Sequence, residues 1–150
     1  MLHQKIKSEI PAAMKSRDRV RVDTLRGLVA AFTNELVATK RKPTEELPDE
    51  DALGVVRREI KKRKEATEAF RKGSREESAQ KEEIERAILE AYLPPQMSAE
   101  DIQKIVTAKK VEMNVMDKKD MGRLIGAVMK EVSGKADSEV VKTIVANSLE

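Results

Sequence analysis

The chain has 150 residues, 39% of them hydrophobic and 38% charged, with a net charge of +3 and a pI near 9.1. It has no cysteine, one histidine and only three aromatic residues, Phe32, Phe70 and Tyr92. This excludes disulfides and thiolate metal sites and leaves Leu, Ile, Val, Ala and Met to build the core, which favours helices. Neither a charged leader followed by an apolar run nor a stretch of eighteen apolar residues is present, so the expectation is a cytosolic protein without a membrane span.

In chain order, Leu2, Ile6, Ile10 and Met14 recur every four residues, predicting an amphipathic helix with a local kink at Pro11. Asp18 can cap a second helix carrying Val22, Leu25, Leu28, Val29, Phe32 and Leu36 on one stripe. Lys40 to Pro48 is polar and proline-punctuated, a loop. Asp49-Glu50-Asp51 suits the first turn of a third helix, whose Leu53, Val56, Ile60, Thr67 and Phe70 share a face until Gly73-Ser74 breaks it. A fourth helix, about 74 to 92, is expected to turn Ile84, Ala87, Ile88 and Ala91 toward the core.

Leu93-Pro94-Pro95-Gln96-Met97-Ser98 ends that helix and opens a new part, with Ser98 and Asp101 spaced like a capping box. Three shorter helices follow, marked by Ile102, Ile105, Val106 and Met113; by Met121, Leu124, Ile125, Val128 and Val132; and by Val140, Val141, Ile144, Val145 and Leu149. Asp120 and Asp137 are the expected caps of the last two. With no period-2 alternation, the fold class is all-α: a four-helix N-terminal domain, residues 1–93, and a three-helix C-terminal domain, residues 98–150.

Chemistry for a self-contained enzyme is lacking. His3, the only histidine, lies at an end expected to fray, and the acidic runs read as solvated faces rather than a metal or catalytic site. No P-loop, dinucleotide fingerprint or metal-ligand spacing is found, and no cofactor is expected. The charge is instead distributed in patches: +6 over residues 1–42, −3 over 43–97 and 0 over 98–150.

Within 118 to 135 five basic residues face two acidic ones. With Asp120 as cap, Lys118 and Lys119 would flank a helix N-terminus whose free N–H groups and positive dipole suit a phosphate. Gly122 and Gly126 remove side chains from that approach, either for a nucleic-acid backbone or for close helix packing. Arg123, Lys130, Gly134 and Lys135 complete this candidate tRNA-binding surface. A second basic surface lies on the third helix, with six cations in eight positions from Arg57: Arg57, Arg58, Lys61, Lys62 and Lys64 face outward. There Arg63 falls near the apolar stripe and calls for a carboxylate partner such as Glu35 or Glu59. Arg17, Arg19 and Arg21 form a third group. With no aromatic residue in these clusters, contact with RNA would be to phosphates and sugars, read by shape. The methionines Met113, Met116, Met121 and Met129 read chiefly as core filling, or else as an adaptor face for another protein.

Thr24-Leu25-Arg26 through Asn34-Glu35, the run Arg58 to Glu65, Tyr92-Leu93-Pro94 with Gln96 and Ser98, and the 119 to 137 block resemble the YqeY proteins over nearly the whole chain. That family is similar to the C-terminal helical and tail domains of GatB, a subunit of the glutamine-dependent aminoacyl-tRNA amidotransferase. The resemblance implies a tRNA-binding accessory role beside an aminoacyl-tRNA synthetase or amidotransferase subunits, without GatB's own transamidation centre. The chain departs from the family at Lys130, Ser138 and Asn114. Asn114 can still take the left-handed conformation that a helix end favours.

Overall fold

Helix caps and left-handed helix ends punctuate the chain at almost every junction. A computed structural model describes every residue except Ser133 and contains, among the described residues, helices and turns but no strand. The helices are α1 (Leu2–Lys15), α2 (Arg19–Ala38), α3 (Asp49–Lys72), α4 (Glu76–Glu90), α5 (Ala99–Glu112), α6 (Met121–Val132) and α7 (Ser138–Ser148), with a 3₁₀ turn over Lys118–Asp120. The chain divides into two compact units, Met1–Leu93 and Pro94–Glu150.

In the first unit, α1 continues through Pro11 to Lys15. The Asp18 carboxylate caps α2 by accepting the Arg21 N–H at 3.1 Å. Phe32, Leu25, Leu28 and Leu36 of α2 are fully buried against Ile6, Leu47, Val55, Val56 and Leu89. Helices α1, α2, α3 and α5 each end in a residue with positive φ that is not glycine: Arg17 (61°), Lys40 (60°), Ser74 (58°) and Asn114 (54°). In each case the next N–H reaches back to a carbonyl five residues earlier, from Asp18 to Ala13, Arg41 to Leu36, Arg75 to Phe70 and Val115 to Lys110. These are Schellman closures, which satisfy carbonyls that a helix end leaves free. Asn114 behaves as its type suggests. At the α3 end it is Ser74, not Gly73, that turns left-handed, so α4 starts at Glu76.

Two expectations fail here. Ile84 of α4 is 53% exposed, Ala87 and Ala91 are exposed, and Ile88 only half-buried; Ala79 and Leu89 are the buried residues. Arg63 sits near the apolar face of α3, with carboxylates of α3 and α4 beside it. Its Nη1 donates to Glu59 at 2.9 Å, and its Nε lies 3.7 Å from Glu85 of α4. Arg71 meets Glu83 at 2.9 Å in the same way. The side of α4 that carries Glu83 and Glu85 thus faces α3. Burial, with Glu82 nearby, holds the Glu85 carboxyl above the usual range.

His3 is the other. Far from fraying, it is buried, its Nδ1 accepts the Leu47 N–H at 2.9 Å, and its ring stands 4.8 Å from that of Phe32. Burial, followed by the charge of Lys7, holds its pKa below the ordinary value. A buried amide must find an acceptor, and this imidazole supplies it for the loop that precedes α3.

The second unit packs Ile102 and Val106 of α5, Leu124, Val128 and Val132 of α6, and Val141 and Val145 of α7 around one core, joined by Val115, Ala136 and Leu149. Met113, Met121 and Met129 pack against it, as core filling requires, whereas Met116 is 81% exposed. The Ser98 hydroxyl accepts the Asp101 N–H at 3.1 Å, and Asp137 accepts the Glu139 N–H at 3.0 Å. The Met97 N–H donates to the Lys135 carbonyl at 2.8 Å, fastening the start of this unit to the turn before α7.

Candidate nucleic-acid interface

The basic surface of the second unit begins at Asp117. Val115 is buried and anchors the incoming strand of chain, and Asp117 is extended, with φ −139° and ψ 172°. Its carboxylate accepts the Lys119 N–H at 2.8 Å, starting the 3₁₀ turn that runs directly into α6. Asp117 is thus the cap, and Asp120 is not. The extended backbone at Asp117 puts its carboxylate in reach of the turn's free N–H groups. Asp120 lies within the turn and faces Arg123 at 3.6 Å, a surface pair of small energetic weight.

This changes how an anion would be met. Asp117 already occupies the amide of Lys119, so an approaching phosphate meets lysine side chains rather than a bare row of N–H groups. Lys118, Lys119, Gly122, Arg123, Gly126 and Lys130 are all exposed. On the helical period Gly122, Gly126, Arg123 and Lys130 fall on the side of α6 away from Leu124 and Val128. Lys118, Lys119 and Lys130 form no ion pair among the described residues.

A Cβ built at Gly122 or Gly126 would meet nothing within 4 Å. Close helix packing therefore does not explain these glycines; they leave a smooth exposed strip between the cations. Gly134 is different: its φ of 76° is one that glycine adopts without strain. Its carbonyl lies 3.4 Å from Gln96 Nε2, and the exposed Lys135 follows it.

The second basic surface is largely compensated. Arg58 pairs with Glu35 at 2.6 Å and Lys62 with Glu59 at 3.2 Å, while Arg57 is half-buried. Lys61 and Lys64 remain exposed without an ion pair among the described residues. Of the third group, Arg21 donates to the Tyr92 hydroxyl at 3.0 Å, and that hydroxyl donates to Glu9. Burial and the Glu9 carboxylate push the Tyr92 pKa up to about 12. Sequence reading missed this tie between α1, α2 and the segment after α4 because its members lie 12 and 71 residues apart. Among the described residues no cluster of three or more His, Asp or Glu is placed to hold a metal, and no helix is long and apolar enough to cross a membrane.

Comparison with known proteins places these features. A relative from Pyrenophora tritici-repentis, named altered inheritance of mitochondria protein 41, mitochondrial, is 26% identical over 91% of this chain and 75% of its own length. A protein of the same name from Eremothecium gossypii is 27% identical over 65% of this chain, which spans about half of that relative (52%). An uncharacterized protein of Schizosaccharomyces pombe is 34% identical over 62% of this chain and 72% of its own length. The mitochondrial names overturn the cytosolic expectation. A cysteine-free helical chain is equally compatible with either reducing compartment, so composition had no power to choose. The model of the Yqey-like proteins matches residues 3–149, from His3 in the first core to Leu149 in the second, and the chain belongs to that family.

Proposed function

We propose that this protein is a non-catalytic tRNA-binding accessory module, working beside an aminoacyl-tRNA synthetase or amidotransferase subunits. The observation that carries this reading is the exposed surface of the 3₁₀ turn and α6, which carries Lys118, Lys119, Arg123 and Lys130 together with two exposed glycines whose Cβ positions face open space. Such a face suits a polyanion of fixed shape: the lysines take phosphates, and the glycines let a sugar–phosphate backbone lie close. It has no aromatic platform, so recognition would be by shape and charge.

The test is fluorescence anisotropy of labelled bulk tRNA at low and moderate salt, with linear RNA as competitor. Four phosphate contacts lower affinity by about two orders of magnitude between roughly 50 and 200 mM salt. Replacing Lys118 and Lys119 together by alanine reduces that fall to about tenfold. A folded double variant that binds like the parent, or a parent that binds no tRNA at low salt, refutes the assignment. One observation favours a second reading: Val111 and Met116, 78% and 81% exposed, are apolar groups near the same turn. A protein adaptor would use them, and complex formation that survives ribonuclease distinguishes it.

A further inference from the structure

Between Leu36 and Ala52 the chain passes from α2 to α3 almost wholly at the surface, and Leu47 is its only buried residue. The start of this connection is fixed by Arg41, whose N–H reaches the Leu36 carbonyl at 2.7 Å and whose guanidinium meets Asp51 at 2.9 Å. Beyond it, Lys42 and Glu45 bond to each other, which is a local tie. Leu47 anchors residues 42–47 in two ways. Its side chain belongs to the core of Ile6, Phe32 and Val55, and its N–H donates to His3 Nδ1 at 2.9 Å. Neither His3 nor this connection has a role in the tRNA reading above.

That bond fixes the tautomer of the ring. Because Nδ1 accepts, the neutral ring carries its proton on Nε2, which is buried without a hydrogen-bond partner among the described residues. An imidazolium has two N–H donors and no acceptor. Its added proton on Nδ1 would point at the Leu47 N–H, donor against donor, and its Nε2–H would stay unsatisfied where a buried charge is costly. The charges that act on the ring come from α1 and the connection: beside burial, Lys7 disfavours the cation, and Glu46 favours it more weakly. From α2 the ring meets the uncharged Phe32, and Asp49 at the start of α3 is engaged by the Leu2 N–H at 2.8 Å. We propose that His3 is an acid-released latch: uptake of a proton at Nδ1 breaks the bond to Leu47 and frees residues 42–47 from the core, while α2 and α3 stay folded. The connection is closed while the ring is neutral and opens as the pH falls. Phe32, Leu36, Val56 and Ile60 keep the two helices in their core throughout.

The test is amide hydrogen exchange of the full chain by NMR between pH 7.5 and 4.5, corrected for the intrinsic rate at each pH. Protection of the Leu47 amide is expected to fall by up to about tenfold per unit as the pH drops below roughly 6.5, while amides of Phe32 and Val56 keep theirs. The chain has a single histidine, so its ring ¹⁵N resonances are unambiguous. They should report the Nε2–H tautomer at pH 7.5, and the Leu47 amide shift should move with their titration. His3→Asn offers an acceptor that does not titrate, and in it the acid-dependent loss at Leu47 should disappear. Should that variant fail to fold, the ring and amide titrations of the parent still decide. Leu47 protection that is unchanged while the ring titrates overturns the proposal. So does equal loss at Phe32 and Val56, which marks unfolding of the whole unit, or the same acid-dependent loss in a folded His3→Asn.

Discussion

Replacing His3 by leucine isolates what one buried acceptor contributes. Leucine keeps apolar bulk beside Phe32 but offers nothing to the Leu47 N–H, which His3 Nδ1 accepts at 2.9 Å in a buried site. A buried amide stripped of its partner costs about 1–3 kcal/mol, so His3→Leu is expected to lose that much at pH 7.5. His3→Asn, whose amide oxygen can stand where Nδ1 stands, should retain the hydrogen bond and lose mainly packing. A pH signature accompanies the first loss. The folded pKa of His3 lies below its unfolded value near 6.5, so the neutral imidazole contributes stability fully present above that value. This contribution declines as pH falls toward the folded pKa, by up to about 1.4 kcal/mol per unit. Lys7 of α1 disfavours the imidazolium, and Glu46 of the loop opposes that effect more weakly. The leucine variant should lack this slope. Urea unfolding followed by the fluorescence of Tyr92, the only tyrosine and a member of the first unit, measures both quantities between pH 5 and 8. Subtracting variant from parent cancels other titrating groups, Glu85 included. A variant within about 0.5 kcal/mol of the parent at pH 7.5, or one with the parent's slope, refutes the reasoning.

The left-handed helix ends make a paired expectation: Arg17→Gly and Ser74→Gly should each stabilise by about 0.5–1 kcal/mol, whereas Gly134→Ala should destabilise by roughly 1–2 kcal/mol, all read from denaturant midpoints. On α4, Leu89→Ala should cost about 2–5 kcal/mol and Ile84→Lys less than about 0.5, and equal losses in thermal melts would contradict the orientation described. Asp117→Ala should lose about 1 kcal/mol as a cap while Asp120→Ala changes little, a contrast that chemical denaturation of the second unit can resolve.

Much of the fold was legible because apolar periodicity and capping residues agree. Asp18, Ser98 and Asp137 cap where their types and spacing suggest, and the stripes of α2, α5 and α6 face their cores. Periodicity misled at α4, where Ala79 and Leu89 are buried and the helix presents Glu83 and Glu85 to arginines of α3, partners that its own sequence does not name. His3 was illegible for the same kind of reason: the amide it satisfies is 44 residues away. The cations from Lys118 to Lys130 could be placed on an exposed face from helical spacing, since no distant partner recruits them. Arg58 could not, because its carboxylate, Glu35, lies on α2 and was unknown until α2 and α3 met.

The burial of His3 also fixes how the surface behaves electrically. With the only imidazole enclosed and no thiol in the chain, neither group places a switchable charge on the surface. The exposed cationic face of α6 is built from lysine and arginine alone, with no histidine in it. Ionic strength sets its reach toward an anionic partner.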